Sequence, residues 1–344
     1  MSSPTAVEHT LTDQNDLLQV TDLRVTFRRG TRDVHAVNGL SYAVDRGKTL
    51  AIIGESGSGK SVSSRALMGI LPDSATIEGE IRVDGIDLLS LTDSQMRAHR
   101  GSTIAMVFQD PLRALNPTMK VGAQVVEAVR AHGGVSRREA KDRALELLRL
   151  VRLPEPVQRF HSYPHQLSGG MRQRVAIAVA LGGNPRVLVA DEATSSLDVT
   201  TQAQIMDLLK DLQRELNMAL IMISHDLGLA ASYADDVIVM YAGRAVERAS
   251  AVDLFQNVRM PYTKALLEAI PDPRRPPHAT FTVAPGQPPD PSQLTSGCAF
   301  APRCARAQPN CAEQAPPFAE DADGHRYACW YPLGYAPELE TNNA

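Results

Sequence analysis

One run of eight residues, Gly54-Glu55-Ser56-Gly57-Ser58-Gly59-Lys60-Ser61, constrains this chain more than any other. It follows a short apolar run, Thr49 to Ile53, and leads into a helix-compatible stretch from Lys60 to Ile70 that ends before Pro72. A G-x-x-x-x-G-K-[ST] pattern between a strand and a helix predicts a phosphate cradle. Small residues let successive backbone N–H groups turn inward at a helix N-terminus, Lys60 adds a point charge, and Ser61 offers a hydroxyl to Mg2+. The ligand implied is a nucleoside triphosphate.

Two later segments extend this chemistry. Val187-Leu188-Val189-Ala190-Asp191-Glu192 reads as a buried strand ending in two carboxylates, which places an Asp near Mg2+ and a Glu where it can polarise an attacking water. Between the two sites, Leu167-Ser168-Gly169-Gly170 opens a helix and presents another set of N–H donors, read either as a phosphate contact or as a plain helix cap.

The rest of the chain supplies the frame. Leu18, Val20, Leu23, Val25 and Phe27 open a strand-rich stretch, and residues 1–16 are expected to form a flexible tail. From Met119 to about Val151 the period becomes helical, with Ala140, Ala144, Leu147, Leu148 and Val151 on one face and Ser136-Arg137-Arg138-Glu139 as a capping box. Apolar runs at Val187 to Ala190, Ala219 to Ile223 and Val237 to Tyr241 then predict an α/β unit with buried, mainly parallel strands. Beyond Pro271 periodicity disappears, and 12 of the 23 prolines fall between Pro271 and Pro317, so a different kind of structure is expected there.

Composition narrows the function classes. Lys and Arg number 35 against 39 Asp and Glu, a net charge of −4, which argues against nucleic acid as the main partner. The longest apolar stretch, Val175 to Gly183, is far short of the roughly 20 residues of a membrane span. The N-terminus carries no basic start followed by an apolar region, so the cytoplasm is the expected compartment.

Six motifs in order carry a family resemblance: the phosphate loop, Gln109 in Val107-Phe108-Gln109-Asp110-Pro111, Leu-Ser-Gly-Gly at 167–170, Asp191-Glu192, Ser196-Leu197-Asp198, and His225. Over roughly Leu18 to Ile270 the chain resembles an ATP-binding cassette (ABC) ATPase. The resemblance implies a P-loop nucleotide-binding α/β domain at 17–259 with an inserted helical subdomain at about 112–165. It further implies ATP as ligand, with Mg2+ served by Ser61, Gln109 and Asp191, Glu192 as general base, and His225 at the γ-phosphate. It also implies a dimer, in which the signature segment with Ser168, Gly169 and Gly170 of one subunit closes on the triphosphate of the other, and it places Asp198 among the nucleotide-binding residues. Phe27 is a candidate for stacking on adenine or a core residue. Met171 and Ala193 stand where many ABC proteins have Gln and Pro, and neither change touches a proposed catalytic group.

The C-terminal quarter, 260–344, narrows the resemblance. Met260-Pro261-Tyr262 through Ile270-Pro271, and Gly297-Cys298 through Cys304 with Cys311 and Cys329, look like the extension of dipeptide and oligopeptide importer ATPases. That implies two membrane permeases, a second ATPase that is either a different chain or another copy, an extracytoplasmic peptide-binding protein, and a place on the cytoplasmic face of the membrane. Closely similar ATPases serve nickel, glutathione and antimicrobial-peptide import, and soluble ABC ATPases without transport form a further alternative. All four cysteines lie in this window, and a reducing compartment makes disulfides the poorer account. Their spacing leaves zinc and iron-sulfur open. The resemblance to peptide-importer tails favours one [4Fe-4S] cluster, with free thiols as a third reading, and with Arg303, Arg306 and Arg326 as counter-charges or as plain surface arginines.

Overall fold

The computed structural model describes residues 16–30, 32–269, 285–292 and 295–334. Most of the expected N-terminal tail and the Ile270-Pro271 segment lie outside the described residues. The strands of the first half are β1 Asp16–Arg29, β2 Arg32–Asp45, β3 Thr49–Ile53, β4 Ala75–Val83, β5 Ile86–Asp87 and β6 Ile104–Val107. Those of the second half are β7 Val187–Asp191, β8 Ala219–Ser224, β9 Asp236–Tyr241, β10 Arg244–Ser250, β11 Ala319–Glu320 and β12 Arg326–Tyr327.

They form two sheets. One is antiparallel, in the order β2-β1-β4-β5. The other runs β11-β12-β10-β9-β3-β8-β7-β6, with parallel pairing from β9 to β6 and antiparallel pairing from β9 outward to β11. Every residue of β3, β7 and β8 is buried, as expected for strands covered on both faces.

The two-residue period of a strand sorts these side chains into two cores. Leu50 and Ile52, with Val187, Val189, Ile221 and Ile223, face the antiparallel sheet and pack on Val20, Leu40 and Tyr42. Ala51 and Ile53, with Leu188, Ala190, Leu220 and Met222, face the opposite way, toward the helices and the C-terminal extension.

The helical insert comprises helices Pro111–Ala114, Val121–Ala131, Arg137–Leu150 and Pro156–Arg159. The capping box forms as expected: Ser136 Oγ accepts from the Glu139 amide, and the Glu139 carboxylate accepts from the Ser136 amide. Ala140, Ala144, Leu147 and Leu148 are buried, so the helix spends its apolar face on the core. The helix after the glycine loop ends at Leu67, three residues earlier than expected, because Gly69 turns left-handed at φ 59° and Ile70 is left exposed.

The proline-rich extension is not a separate appendage among the described residues. β12 pairs with β10 through Glu247 opposite Tyr327 and Arg248 opposite Arg326, which continues the central sheet. The Ala328 amide donates to Val246 O at 2.8 Å, and Arg259 pairs with Asp321 at 3.1 Å. Phe300 packs edge-on against Tyr241, with ring centroids 5.5 Å apart. None of the described helices is long and apolar enough to cross a membrane.

Candidate functional site

The site gathers where β3, β7 and β8 end. Residues 54–59 leave β3 and turn back into the helix Lys60–Leu67. Two glycines make that turn possible. Gly54 has φ 150° and a Cβ there would stand 2.2 Å from Met240 O; Gly59 has φ 102° and a Cβ would stand 2.3 Å from Ala36 O. Lys60 is buried, and its Nζ donates to Gly54 O at 2.7 Å and Glu55 O at 2.9 Å. Burial lowers its pKa, while the carboxylates of Glu192, Asp191 and Glu55 act the other way.

The strand β7 delivers the two carboxylates to the same place. Asp191 is 4% exposed, and its Oδ1 accepts from Ser61 Oγ at 3.0 Å. Burial pushes its carboxyl above the usual range, against the opposing hydrogen bond from Ser61. Glu192 follows in the left-handed region at φ 48°, with its amide tied to Ile223 O of β8 at 3.0 Å. A non-glycine residue held there costs about 1–3 kcal/mol, a strain that concentrates at functional sites. Gln109, just beyond β6, donates to Glu192 Oε2 at 2.8 Å and to Ser195 Oγ at 3.3 Å. On the other side His225 Nδ1 lies 3.5 Å from Glu192 Oε1.

Thus Lys60, Ser61, Gln109, Asp191, Glu192 and His225 come together, although they span more than 160 positions of sequence. Ser168 and Asp198 do not join them through any hydrogen bond or ion pair among the described residues. Ser168 caps the helix Gly169–Ala180 and accepts from the Met171 amide at 3.3 Å. Asp198 caps the helix Val199–Leu216, where the Thr201 amide holds its carboxyl below the usual range. Phe27 on β1 is partly buried against the core shared by the two sheets.

The four cysteines converge as well. Cys298, Cys304, Cys311 and Cys329 line one cavity of about 20 Å³, and the Cys298 amide donates to Cys311 O at 2.7 Å. The amides of Arg306 and Gln308 donate to the sulfurs of Cys304 and Cys311 at 3.4 and 3.5 Å. Burial pushes the Cys298 thiol up, and pushes Cys329 up to about 11. Among the described residues, no group of three or more His, Cys, Asp or Glu side chains stands in an arrangement ready to hold a metal ion. Two of the expected counter-charges are engaged elsewhere: Arg303 pairs with Glu55 of the phosphate loop, and Arg326 with Glu320. Sequence reasoning also missed Tyr262, whose hydroxyl accepts from the Glu55 amide at 2.9 Å. Its position beside Pro261, at the opening of the extension, was the only signal available.

The sheet, the inserted helices and the glycine loop facing Asp191-Glu192 define an ATPase of the ABC class. A family model described as ABC transporter matches residues 37–195, and one described as oligopeptide/dipeptide transporter, C-terminal region, matches 246–311. The oligopeptide transport ATP-binding protein OppD of Bacillus subtilis is 46% identical over 330 residues, covering 95% of this chain and 92% of that protein. OppD of Salmonella typhimurium is 46% identical over 319 residues, covering 93% and 95%. Among solved structures, the dimeric cassette MJ0796 in a post-hydrolysis state with ADP and phosphate superposes with a TM-score of 0.60 at 30% identity, covering 68% of this chain and 98% of that one. The chain belongs to the family of oligopeptide ABC-transporter ATP-binding proteins.

Proposed function

We propose that this chain is the ATP-hydrolysing subunit of a membrane importer for dipeptides and oligopeptides. The observation that carries the reading is one chain joining an ATPase cassette to a peptide-transporter C-terminal region, with OppD relatives along nearly its whole length. In this reading residues 17–259 are the ATPase domain, about 112–165 its helical subdomain, and 260–344 the importer extension. The cassette sits on the cytoplasmic face of the membrane beneath two permeases, paired with a second ATPase and supplied by an extracytoplasmic peptide-binding protein.

Each site residue then has a task. Residues 54–59 wrap the phosphates with backbone amides, and Lys60 trades its loop carbonyls for phosphate oxygens. A buried carboxylate whose nearest partner is a neutral hydroxyl suits a cation, so Ser61 and Asp191, with Gln109, would hold Mg2+. Bound there, Mg2+ supplies neutralisation of charge on the transferring phosphoryl group. Glu192 takes the proton of the attacking water, held in place by Gln109 on one side, while His225 contacts the γ-phosphate. Ser168, Gly169 and Gly170 serve the nucleotide of the partner subunit, and Asp198 is a further nucleotide-binding residue.

What supports a metal role for the four cysteines is their gathering around one small cavity of the extension and the backbone N–H hydrogen bonds that two of their sulfurs accept, although the side chains as they stand form no ready ligand set. A bound metal would deprotonate thiols that burial otherwise keeps neutral. We assign them to one [4Fe-4S] cluster, with zinc the alternative, in a structural role that fixes the extension. Protein purified without oxygen should be brown, with about four irons and matching sulfide per chain. Stoichiometric zinc in a colourless preparation would overturn the assignment. The transport reading is tested in vesicles containing the permeases, both ATPases and the peptide-binding protein: peptide should accumulate inside only with ATP on the cassette side. Hydrolysis indifferent to the permeases, with no peptide moved, would refute it.

A further inference from the structure

The C-terminal extension reaches into the phosphate loop itself. Arg303 has only 6% of its side chain exposed, and its two terminal nitrogens donate to the two carboxylate oxygens of Glu55 at 2.8 and 3.0 Å. Its Nη1 also donates to the Tyr241 hydroxyl at 3.2 Å, and its Nε to Pro285 O at 3.0 Å. Glu55 is held at its backbone as well, by the Tyr262 hydroxyl on its amide and Lys60 on its carbonyl. The rings of Tyr241, Tyr262 and Phe300 pack together, with centroids 4.5 to 5.5 Å apart, and brace both contacts.

Glu55 is an anomaly in its setting. A loop that binds a polyanion gains nothing from a carboxylate at its second position, since like charges repel strongly where solvent is scarce. The Glu55 charge reaches Lys60, the residue that meets the phosphates. A bidentate guanidinium is the partner that best cancels a carboxylate and also fixes its direction. Arg303 does not line the cysteine cavity, and both ends of its guanidinium fork are directed at Glu55 of the loop.

We propose that Arg303 is a positioning residue of the ATP site: it neutralises Glu55 and holds that carboxylate on the extension side of the loop, so the extension sets the affinity for ATP. The inference rests on the reading of 54–61 as the ATP-binding loop. It differs from a role in which Arg303 only fastens the extension to the cassette.

Titration of the full-length chain with a fluorescent ATP analogue separates the two. Arg303→Gln leaves an unpaired carboxylate beside the phosphates and should weaken binding about tenfold, ~1.4 kcal/mol, more at low salt than at high. Arg303→Lys, which keeps the charge and loses the fork, should fall between. Glu55→Gln added to Arg303→Gln should restore the affinity to within about twofold of the parent, because the two changes act through one contact. Unchanged affinity in Arg303→Gln, or a loss that persists in the double variant, would overturn the proposal in favour of simple fastening. Should Arg303→Gln fail to fold, Arg303→Lys with and without Glu55→Gln gives a smaller cycle: its partial loss of affinity should disappear when Glu55 is neutral, and a loss that persists would overturn the proposal. Lys60→Ala is the separate control: binding that ignores it would show that the loop is not the ATP site.

Discussion

Replacing Glu247 by Ala should release the C-terminal extension. Glu247 is fully buried on β10; its Oε1 accepts from the Arg259 amide at 2.6 Å and the Met260 amide at 3.2 Å, and lies 2.8 Å from His325 Nε2. Those three contacts tie together the start of the extension and the turn before β12. Each buried polar group left without its partner costs about 1–3 kcal/mol. Some relaxation is available to the two amides, so the expected loss is about 3–5 kcal/mol, on the order of 10 °C in the unfolding midpoint. Glu247→Gln keeps an acceptor oxygen and should lose only about 1–2 kcal/mol. Thermal unfolding gives the magnitude, and hydrogen exchange gives the place: the Ala328 amide, bonded to Val246 O, should lose protection in Glu247→Ala. A variant within about 1 kcal/mol of the parent, with Ala328 still protected, would refute the claim that this carboxylate docks the extension.

Three further outcomes follow from single sites. Gly59→Ala forces a Cβ against Ala36 O, and should cost roughly 1–3 kcal/mol and abolish binding of a fluorescent ATP analogue. Ser136→Ala removes the exposed capping box at the start of the helix Arg137–Leu150 and should cost about 1 kcal/mol in denaturant titration, with ATP binding unchanged. Burial raises the Asp191 carboxyl above its unfolded value, so the nucleotide-free protein should gain stability from this group as pH falls through the acidic range and lose that gain as pH rises through the folded value. Asp191→Asn should flatten that part of the profile of unfolding midpoint against pH.

Much of this architecture was legible in local pattern. Thr49–Ile53 is apolar because both of its faces are covered, and the helix Arg137–Leu150 announces itself through its cap and its spacing. The antiparallel sheet was legible only in part: no residue of β4 over Ala75–Glu80 is fully buried, so it lacks a continuous apolar signal. β12 could not be read at all, since a strand of two residues, Arg326–Tyr327, exists only through its partner β10. The phosphate loop was visible because its residues are contiguous. Its contact with Arg303 joins positions 248 apart, and such a pair leaves no periodic trace in a sequence. For the same reason Arg303, which reads in the sequence as a counter-charge to the thiols or a surface arginine, gave no hint of its pairing with Glu55.

The central claim, an ATP site in which Glu192 takes the proton of the attacking water, is tested most directly by phosphate release from the reconstituted importer. With the partner ATPase's own site disabled, Glu192→Gln should slow release by about 10²–10⁴-fold while ATP stays bound in a closed complex. Release at the parental rate from that complex would contradict the account.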